Sequence, residues 1–582
     1  MTEQEVQRKL SELAKRRGFF VPSNEVYGGT AGFYTFGPRG STVKRNIEDI
    51  WRDRFKLKEG NEEIEAPTVM PEDVFEASGH LETFDDMIVK CPECETSSRA
   101  DHIVEDNTGI EEAESFSKDR IEELFEEHEL KCPECGAELA GEKVDDFNLM
   151  FSTNIGPGDS SPGYLRPETA QGIFVEFNRW KQYARNKLPF GVTQIGKAYR
   201  NEISPRNQIV RVRELTQAEL EMFIDPLENE PDLEKVEDVE LTLYSRDEQN
   251  KEEGEIIETT VAEAVEEEII ESKWIAYYLG LAKRWYQRIG VDMDRFRYRQ
   301  HLEDELSHYA SDCWDAESEV DGDWIEITGF GYRGCYDLKK HQEHSGEDFT
   351  IFKEYDEPRT EKKAVVDPDM GWLGPKYGDH ASEIVEELER MASNQPEVFN
   401  EKADLRIKIG DKKFTVPVDK TGFEIKEVEK NGKRILPEIV EPSFGVDRIF
   451  YTVLAHSYDE DEIDGEERTV MRLEPDVAPV EVAVFPLMDK DGLGERAEEI
   501  HKNLREAGFS TTYDNSGAIG RRYRRQDEVG TPYCVTVDHQ TLEDGTLTVR
   551  DRDSTEQKRI NQDRVDKVIA QLVTGERGFE DL

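Results

Sequence analysis

Residues 190–223 read FGVTQIGKAYRNEISPRNQIVRVRELTQAELEMF, and their pattern decides the fold. Two strand patterns are joined by Asn201–Gln208, where Ser204-Pro205 marks a turn. In the second strand Val210, Val212, Thr216, Ala218, Leu220 and Met222 share one face, with Glu214 the exception. Arg211, Arg213, Gln217, Glu219 and Glu221 share the opposite face. A merely solvated face needs no such order. Arginines at one end and acids at the other suit a ligand with phosphates at one end and an ammonium at the other. The same stretch contains a decoy. Gly191 to Lys197 matches a phosphate-binding loop up to its last position, where Ala198 replaces the hydroxyl residue needed for Mg²⁺. The segment also alternates as a strand does, so it is expected to be one.

A second signal lies downstream, in EPSFGVDR at 441–448. The strand pattern ILPEIV leads into a helix whose apolar positions Val446, Ile449, Phe450, Val453 and Leu454 repeat at helical spacing. Arg448 then falls in the first helical turn, where the dipole disfavours a cation and a functional reason is expected. Upstream, GFYTFGPRG precedes a helix expected over Thr42 to Lys56, with Val43, Ile47, Ile50 and Trp51 on one stripe, and a strand ending at Ala66-Pro67. YLRPETAQG occupies 164–172 and SRADH surrounds Arg99.

Cys91-Pro-Glu-Cys94 and Cys132-Pro-Glu-Cys135 form paired CPxC turns around an acidic helix. Four thiolates close a tetrahedral site, so a structural Zn²⁺ is expected; the long spacer implies an insert in the ribbon. From Ala478 onward strands and helices alternate: VEVAVFPL, Gly494–Ala507, STTYD, Ile519–Val529, PYCVTVD, LTVRDRD, and a closing helix over Glu556–Val573. This implies a compact α/β domain. Its Arg521, Arg522, Arg524 and Arg525 flank Tyr523, a set suited to RNA bases.

The 582 residues exceed what one core organises and imply several domains. With 130 acidic against 75 basic residues the net charge is −55. Aromatic residues at 9% and many periodic apolar stretches argue against disorder. A halophilic cytoplasm accounts for the charge, because at ~1 M salt the screening length falls to ~3 Å. No apolar run approaches a membrane span and no secretory core segment opens the chain, so a soluble cytoplasmic protein without membrane partners is expected. Glu228–Glu271 and Glu354–Gly432 read as acidic insertions, the first solvated and partly flexible.

Arg200-Asn201-Glu202 followed by Val210–Glu214 resembles motif 2 of class II aminoacyl-tRNA synthetases, and EPSFGVDR resembles motif 3 in its glycyl form. YLRPETAQG and the region from GFYTFGPRG to Ala66-Pro67 resemble further glycyl signatures, and DNSGAIGRRYRRQDEVGTPYCVTVD resembles the anticodon-binding domain shared with threonyl, prolyl and histidyl enzymes. The resemblance implies an antiparallel-sheet catalytic domain at 1–477 with a zinc-ribbon-like insertion at 88–146 and acidic insertions at 226–272 and 354–432. An α/β anticodon-binding domain would follow at 478–582. It implies ATP and Mg²⁺, activation of glycine and its transfer to tRNA(Gly), and a homodimer built on the motif 1 region. Arg200 and Arg448 would be catalytic. ATP would also meet Asn201, Glu202, Val210, Arg211, Val212, Arg213, Glu214, Leu215, Glu326, Ile327, Gly445, Val446 and Asp447. Glycine would meet Arg99, Glu168, Leu215, Thr216, Gln217, Ala218, Glu219, Glu441, Pro442, Ser443, Phe444 and Gly445, with Glu441 and Ser443 leaving no room for a side chain. Glu326 is the candidate Mg²⁺ ligand, although WIEITGFGYRGCYDL lacks the usual aspartate before its arginine. A non-catalytic relative would have lost Arg200, Glu202 or Arg448, and all three are present. A class II enzyme for proline or threonine would not carry RPETAQG with Glu441 and Ser443.

Overall fold

The computed structural model describes residues 3–110, 113, 116–157, 161–203, 205, 208–251, 254–303, 305–306, 312–410, 412–463 and 465–582. Residues 350–436 form one compact unit, and 1–349 with 437–582 form the other. Ser204, half of the expected turn, lies outside the described residues.

The larger unit is organised by nine strands: β1 (Glu62–Glu63), β2 (Phe190–Tyr199), β3 (Glu214–Ile224), β4 (Glu240–Tyr244), β5 (Ile257–Thr260), β6 (Phe296–Gln300), β7 (Asp312–Val320), β8 (Asp323–Gly334) and β9 (Glu438–Gly445). They lie in the order β5-β4-β6-β7-β8-β9-β3-β2-β1. All neighbours are antiparallel except β4 with β6 and β2 with β1. The P-loop lookalike is strand β2, as its alternation requires. At the sheet centre Glu219 pairs with Ser443, and Ser443 in turn with Gly329.

Three helices, α1 (Gly40–Trp51), α2 (Lys273–Arg288) and α3 (Val446–Ser457), pack on the sheet. Phe444 is fully buried there, with ring centroids 4.8 Å from Phe55, 5.4 Å from Trp285 and 5.8 Å from Trp51. Truncating such a residue costs roughly 3–5 kcal/mol. Because side chains alternate, Glu441 and Ser443 then take the other face of β9.

The expected solvated insertion at 226–272 is corrected. Strands β4 and β5 come from it, and Val236, Leu241, Leu243, Val261 and Ala264 are buried in the main core. Each strand holds a single acid, Glu240 or Glu258, and the charge of the flanking segments concealed them. The separate unit at 350–436 has a core of its own, including Leu373, Ile384, Leu388, Phe399, Leu405 and Val416. The chain's acidic character there sits around a folded body.

The C-terminal strands β10 (Val482–Pro486), β11 (Thr511–Tyr513), β12 (Tyr533–Val537), β13 (Thr546–Asp551) and β14 (Gln557–Asn561) lie in the order β11-β10-β12-β13-β14. The expected helix over 556–573 is also corrected. Residues 557–561 pair with β13, and the helix is Val565–Val573. Alternation of Lys558 and Ile560 with exposed neighbours is a strand pattern, not a helical one. Among the described residues no helix is long and apolar enough to cross a membrane.

Candidate active site

The loop before β3 and the start of that strand bring Arg200, Glu202, Val210, Arg211 and Val212 into one cleft with Leu215, Thr216 and Gln217. Glu326 and Ile327 of β8 face them, with Ser443, Gly445, Asp447 and Arg448 from the β9–α3 junction. Arg448 Nη1 donates to the Glu326 carboxylate at 3.1 Å and to its carbonyl at 2.8 Å, while Nε donates to the Val210 carbonyl at 3.0 Å. These contacts hold a cation in the first turn of α3 against the helix dipole. Arg211 Nη1 lies 3.1 Å from His102 Nε2, and its Nε lies 3.9 Å from the Glu202 carboxylate. Arg200 Nε donates to the Pro167 carbonyl at 3.3 Å. Three guanidiniums bordering one cleft are suited to phosphate groups.

Behind them the sheet turns acidic. Glu219 accepts from the Ser443 hydroxyl at 2.7 Å and from the Thr169 amide at 2.8 Å. Glu219, Glu221 and Glu441 have carboxylate oxygens within 4.8 Å of one another, and all three are buried. Arg333 is the cation among them. Its Nη1 donates to Glu441 at 2.7 Å, and Nε and Nη2 grip Asp337 at 2.8 and 3.0 Å. Burial, then Glu219 and Glu168, push the Glu441 carboxyl up to about 7 against the pull of Arg333. Burial pushes Glu221 up further, helped by Glu441. For Glu168 burial acts upward too, but Arg333 and His80 outweigh it and hold that carboxyl well below the usual range. Burial favours the protonated forms of Glu219, Glu221 and Glu441, and a positive ligand in the pocket would favour their ionised forms. On β8 the residues opposite Ser443 and Glu441 are Gly329 and Gly331, so no side chain rises from that strand at these positions.

Several expected site residues point elsewhere. Ala218, Phe444 and Val446 belong to the hydrophobic core on the opposite side of the sheet, and Pro442 is buried among neighbours. Their alternation with Gln217, Glu219, Ser443 and Gly445 dictates this. Arg213 donates to the Glu202 carbonyl at 2.8 Å and the Ala31 carbonyl at 2.9 Å, so it shapes the loop. Glu214 pairs with Lys197 at 3.3 Å, and the Asn201 amide donates to the Leu149 carbonyl at 2.8 Å. Arg99 is buried and held by Asp101 and, at 3.2 Å, by Asp86. Asp447 accepts from Lys44 Nζ at 2.5 Å and from the Thr216 amide at 2.9 Å, which ties α1, β3 and α3 together.

The comparisons agree with this geometry. The model of the tRNA synthetase class II core domain (G, H, P, S and T) matches residues 159–457, and that of the anticodon binding domain matches 481–572. Glycine–tRNA ligase of Methanothrix thermoacetophila is 48% identical over 98% of each chain. The ligases of Pyrococcus furiosus and Methanothermobacter thermautotrophicus are 47% and 46% identical, over 97% and 96% of this chain and 99% and 98% of theirs. The chain belongs to the glycine–tRNA ligase family.

Within this glycine–tRNA ligase family member the four paired cysteines converge. Cys91 and Cys135 sulfurs lie 3.5 Å apart, those of Cys94 and Cys132 3.7 Å, and all four within 4.8 Å of one another. A tetrahedron with ~2.3 Å Zn–S bonds has sulfurs ~3.8 Å apart, so the set fits zinc. In the anticodon-binding domain the arginines of helix α4 (Ile519–Asp527) divide. Arg522 is corrected as an RNA contact: it is buried and donates to the carbonyls of Pro486, Asn515 and Gly517. Arg525 is engaged by Asp514. Arg521 is exposed, and Arg524 is half-buried 3.9 Å from Asp527.

Sequence reasoning missed Lys44, Arg333, Asp337, Gln171 and His341 as members of these networks, and placed Glu221 on the acidic strand face without its partners. Lys44 carried a signal, since it lies on the apolar stripe of α1 three residues before Ile47. Arg333 was visible as the arginine of GYRGCYDL, with Asp337 one helical turn on, but its partner Glu441 is remote in sequence.

Proposed function

We propose that this chain activates glycine with ATP and transfers it to tRNA(Gly). The carrying observation is the buried carboxylate pocket, capped by Ser443, directly behind the arginine-lined cleft. The glycine carboxylate attacks the α-phosphorus of ATP in line; glycyl-adenylate forms and pyrophosphate leaves. The terminal ribose hydroxyl of the tRNA then takes the glycyl group and AMP leaves. Arg200 and Arg448 hold phosphate charge as it redistributes, and Arg211 lies towards the outer phosphates. Glu168, Glu219 and Glu441 receive the ammonium. The Ser443–Glu219 hydrogen bond closes the space beside the α-carbon, so a larger amino acid clashes, which discriminates more strongly than an open apolar pocket does. Magnesium, held from Glu326 at the mouth of the cleft, would offset phosphate charge when bound.

Zinc on the four cysteines would brace the insertion, whose His102 lies beside Arg211. Arg521 and Arg524 are the arginines of α4 best disposed towards the anticodon. A homodimer is supported by a cavity of about 1010 Å³ along β1 and β2, whose wall includes Ala66, Pro67, Trp180 and Tyr183 and shares no residue with the arginine cleft. The charge of −55 supports work in a salt-rich cytoplasm.

Charging of tRNA(Gly) transcript with labelled glycine tests the proposal. Wild-type protein is expected to charge it, Arg448→Ala to lose the activity, and Glu219→Gln to raise the KM for glycine. Charging unaffected by both substitutions would remove the assignment.

A further inference from the structure

Glu168 is not held by Arg333 alone. It opens the TAQG turn that leads into the buried helix Gln171–Phe174, and Gln171 is wholly buried. Gln171 Nε2 donates to Glu168 Oε1 at 2.8 Å and to Asp337 Oδ1 at 3.2 Å. Its Oε1 faces His341 Nε2 at 2.9 Å. Asp337 and His341 are spaced i, i+4 on the helix Tyr336–Ser345, so they present one face to Gln171.

The chemistry of these groups leaves one arrangement. Flipping the Gln171 amide would set its oxygen against two carboxylate oxygens, so the amide nitrogen must face Glu168 and Asp337. The amide oxygen then needs a donor, and His341 Nε2 must carry a proton. Burial pushes His341 down to about 4, so the ring is neutral and has a single N–H to give. Giving it to Gln171 fixes the tautomer.

We infer that His341 and Gln171 are positioning residues for the amino-acid substrate: His341 locks the Gln171 amide, and the amide holds the Glu168 carboxylate aimed at the substrate ammonium. This rests on the proposed role of Glu168. Neither residue lines the cleft that holds Arg200, Arg211 and Arg448, and their side-chain hydrogen bonds run to Glu168, Asp337 and each other. A loss of the relay therefore belongs in glycine binding and not in nucleotide binding. Leaving a buried amide oxygen or carboxylate short of one partner is expected to change glycine affinity roughly tenfold.

The test is steady-state pyrophosphate exchange by the full-length protein with glycine and ATP varied separately. Gln171→Met and His341→Leu are expected to raise the KM for glycine roughly tenfold and leave the KM for ATP within about twofold. His341→Gln places an amide nitrogen at nearly the reach of Nε2 and is expected to stay within about threefold of wild type. If His341→Leu does not fold, His341→Asn takes its place, because its amide falls about one bond short and should raise the glycine KM while His341→Gln does not. An unchanged glycine KM in Gln171→Met, a parallel rise in both KM values, or His341→Gln as impaired as its shorter counterpart would overturn the relay. Glu168→Gln separates the two readings. If it raises the glycine KM and Gln171→Met does not, only the relay fails; if it leaves the glycine KM unchanged, the ammonium assignment fails and the relay with it.

Discussion

Lowering the pH from about 8 to about 6 is expected to weaken glycine binding roughly tenfold, through Glu441. Burial and the neighbouring carboxylates Glu219 and Glu168 raise this carboxyl to about 7, even with Arg333 Nη1 at 2.7 Å. A group titrating there is roughly nine-tenths ionised at the upper pH and one-tenth at the lower, and only the ionised form attracts an ammonium. Glu219 is also pushed upward, by burial first and then by Glu168, so the observed slope should be no shallower. Glu168 stays ionised throughout and contributes no slope. Stability runs the other way. A carboxyl raised from 4.5 to about 7 binds its proton more tightly in the folded state. Its stabilising contribution of about 3 kcal/mol is complete below the unfolded value and is lost as pH rises through about 7. The assay is kcat/KM for glycine at saturating ATP across this range, with thermal melts alongside. Glu441→Gln should flatten the glycine profile, whatever its absolute activity, and the profile for ATP should not follow it. A flat wild-type glycine profile, or the same slope in Glu441→Gln, would refute the reasoning.

Cys94→Ser should abolish stoichiometric zinc, read by metal analysis of purified protein, and lower the melting temperature. Lys44→Met should cost about 3–5 kcal/mol, because it leaves Asp447 buried without its cation; denaturant titration measures this, and Asp447→Leu added to it should restore part of the loss. Arg522→Ala should destabilise the C-terminal domain by removing a buried donor to three carbonyls, whereas Arg521→Ala should weaken tRNA binding with the melting temperature unchanged.

The central sheet was legible because its strands are local patterns. Gly191–Tyr199 alternates, and Val446, Ile449, Phe450, Val453 and Leu454 repeat at helical spacing, so β2, β3 and α3 could be drawn from the sequence. Of the cleft arginines, Arg211 was legible from the charge order of its strand face and Arg448 from its place in a first helical turn, while Arg200 was legible through the resemblance to motif 2. Strands β4 and β5 were hidden because they are short, ELTLY and IETT, and lie within a strongly acidic stretch whose overall charge outweighed their local pattern. Phe444 and Ala218 were placed in the substrate site because a motif names consecutive residues, whereas a strand sends neighbours to opposite faces. The long-range halves of the networks around Arg333 and Lys44 could not be read from the sequence. Glu441 lies 108 residues from Arg333, and Asp447 lies 403 from Lys44, and only the folded sheet brings them together.

The most direct test of the account is ATP–pyrophosphate exchange with each standard amino acid in turn, using purified protein in concentrated KCl. Exchange with glycine alone is predicted, because under the proposed reading the Ser443–Glu219 contact and the carboxylates behind it would admit an ammonium and no side chain. Exchange supported by alanine or serine as well as by glycine, from folded protein, would contradict it.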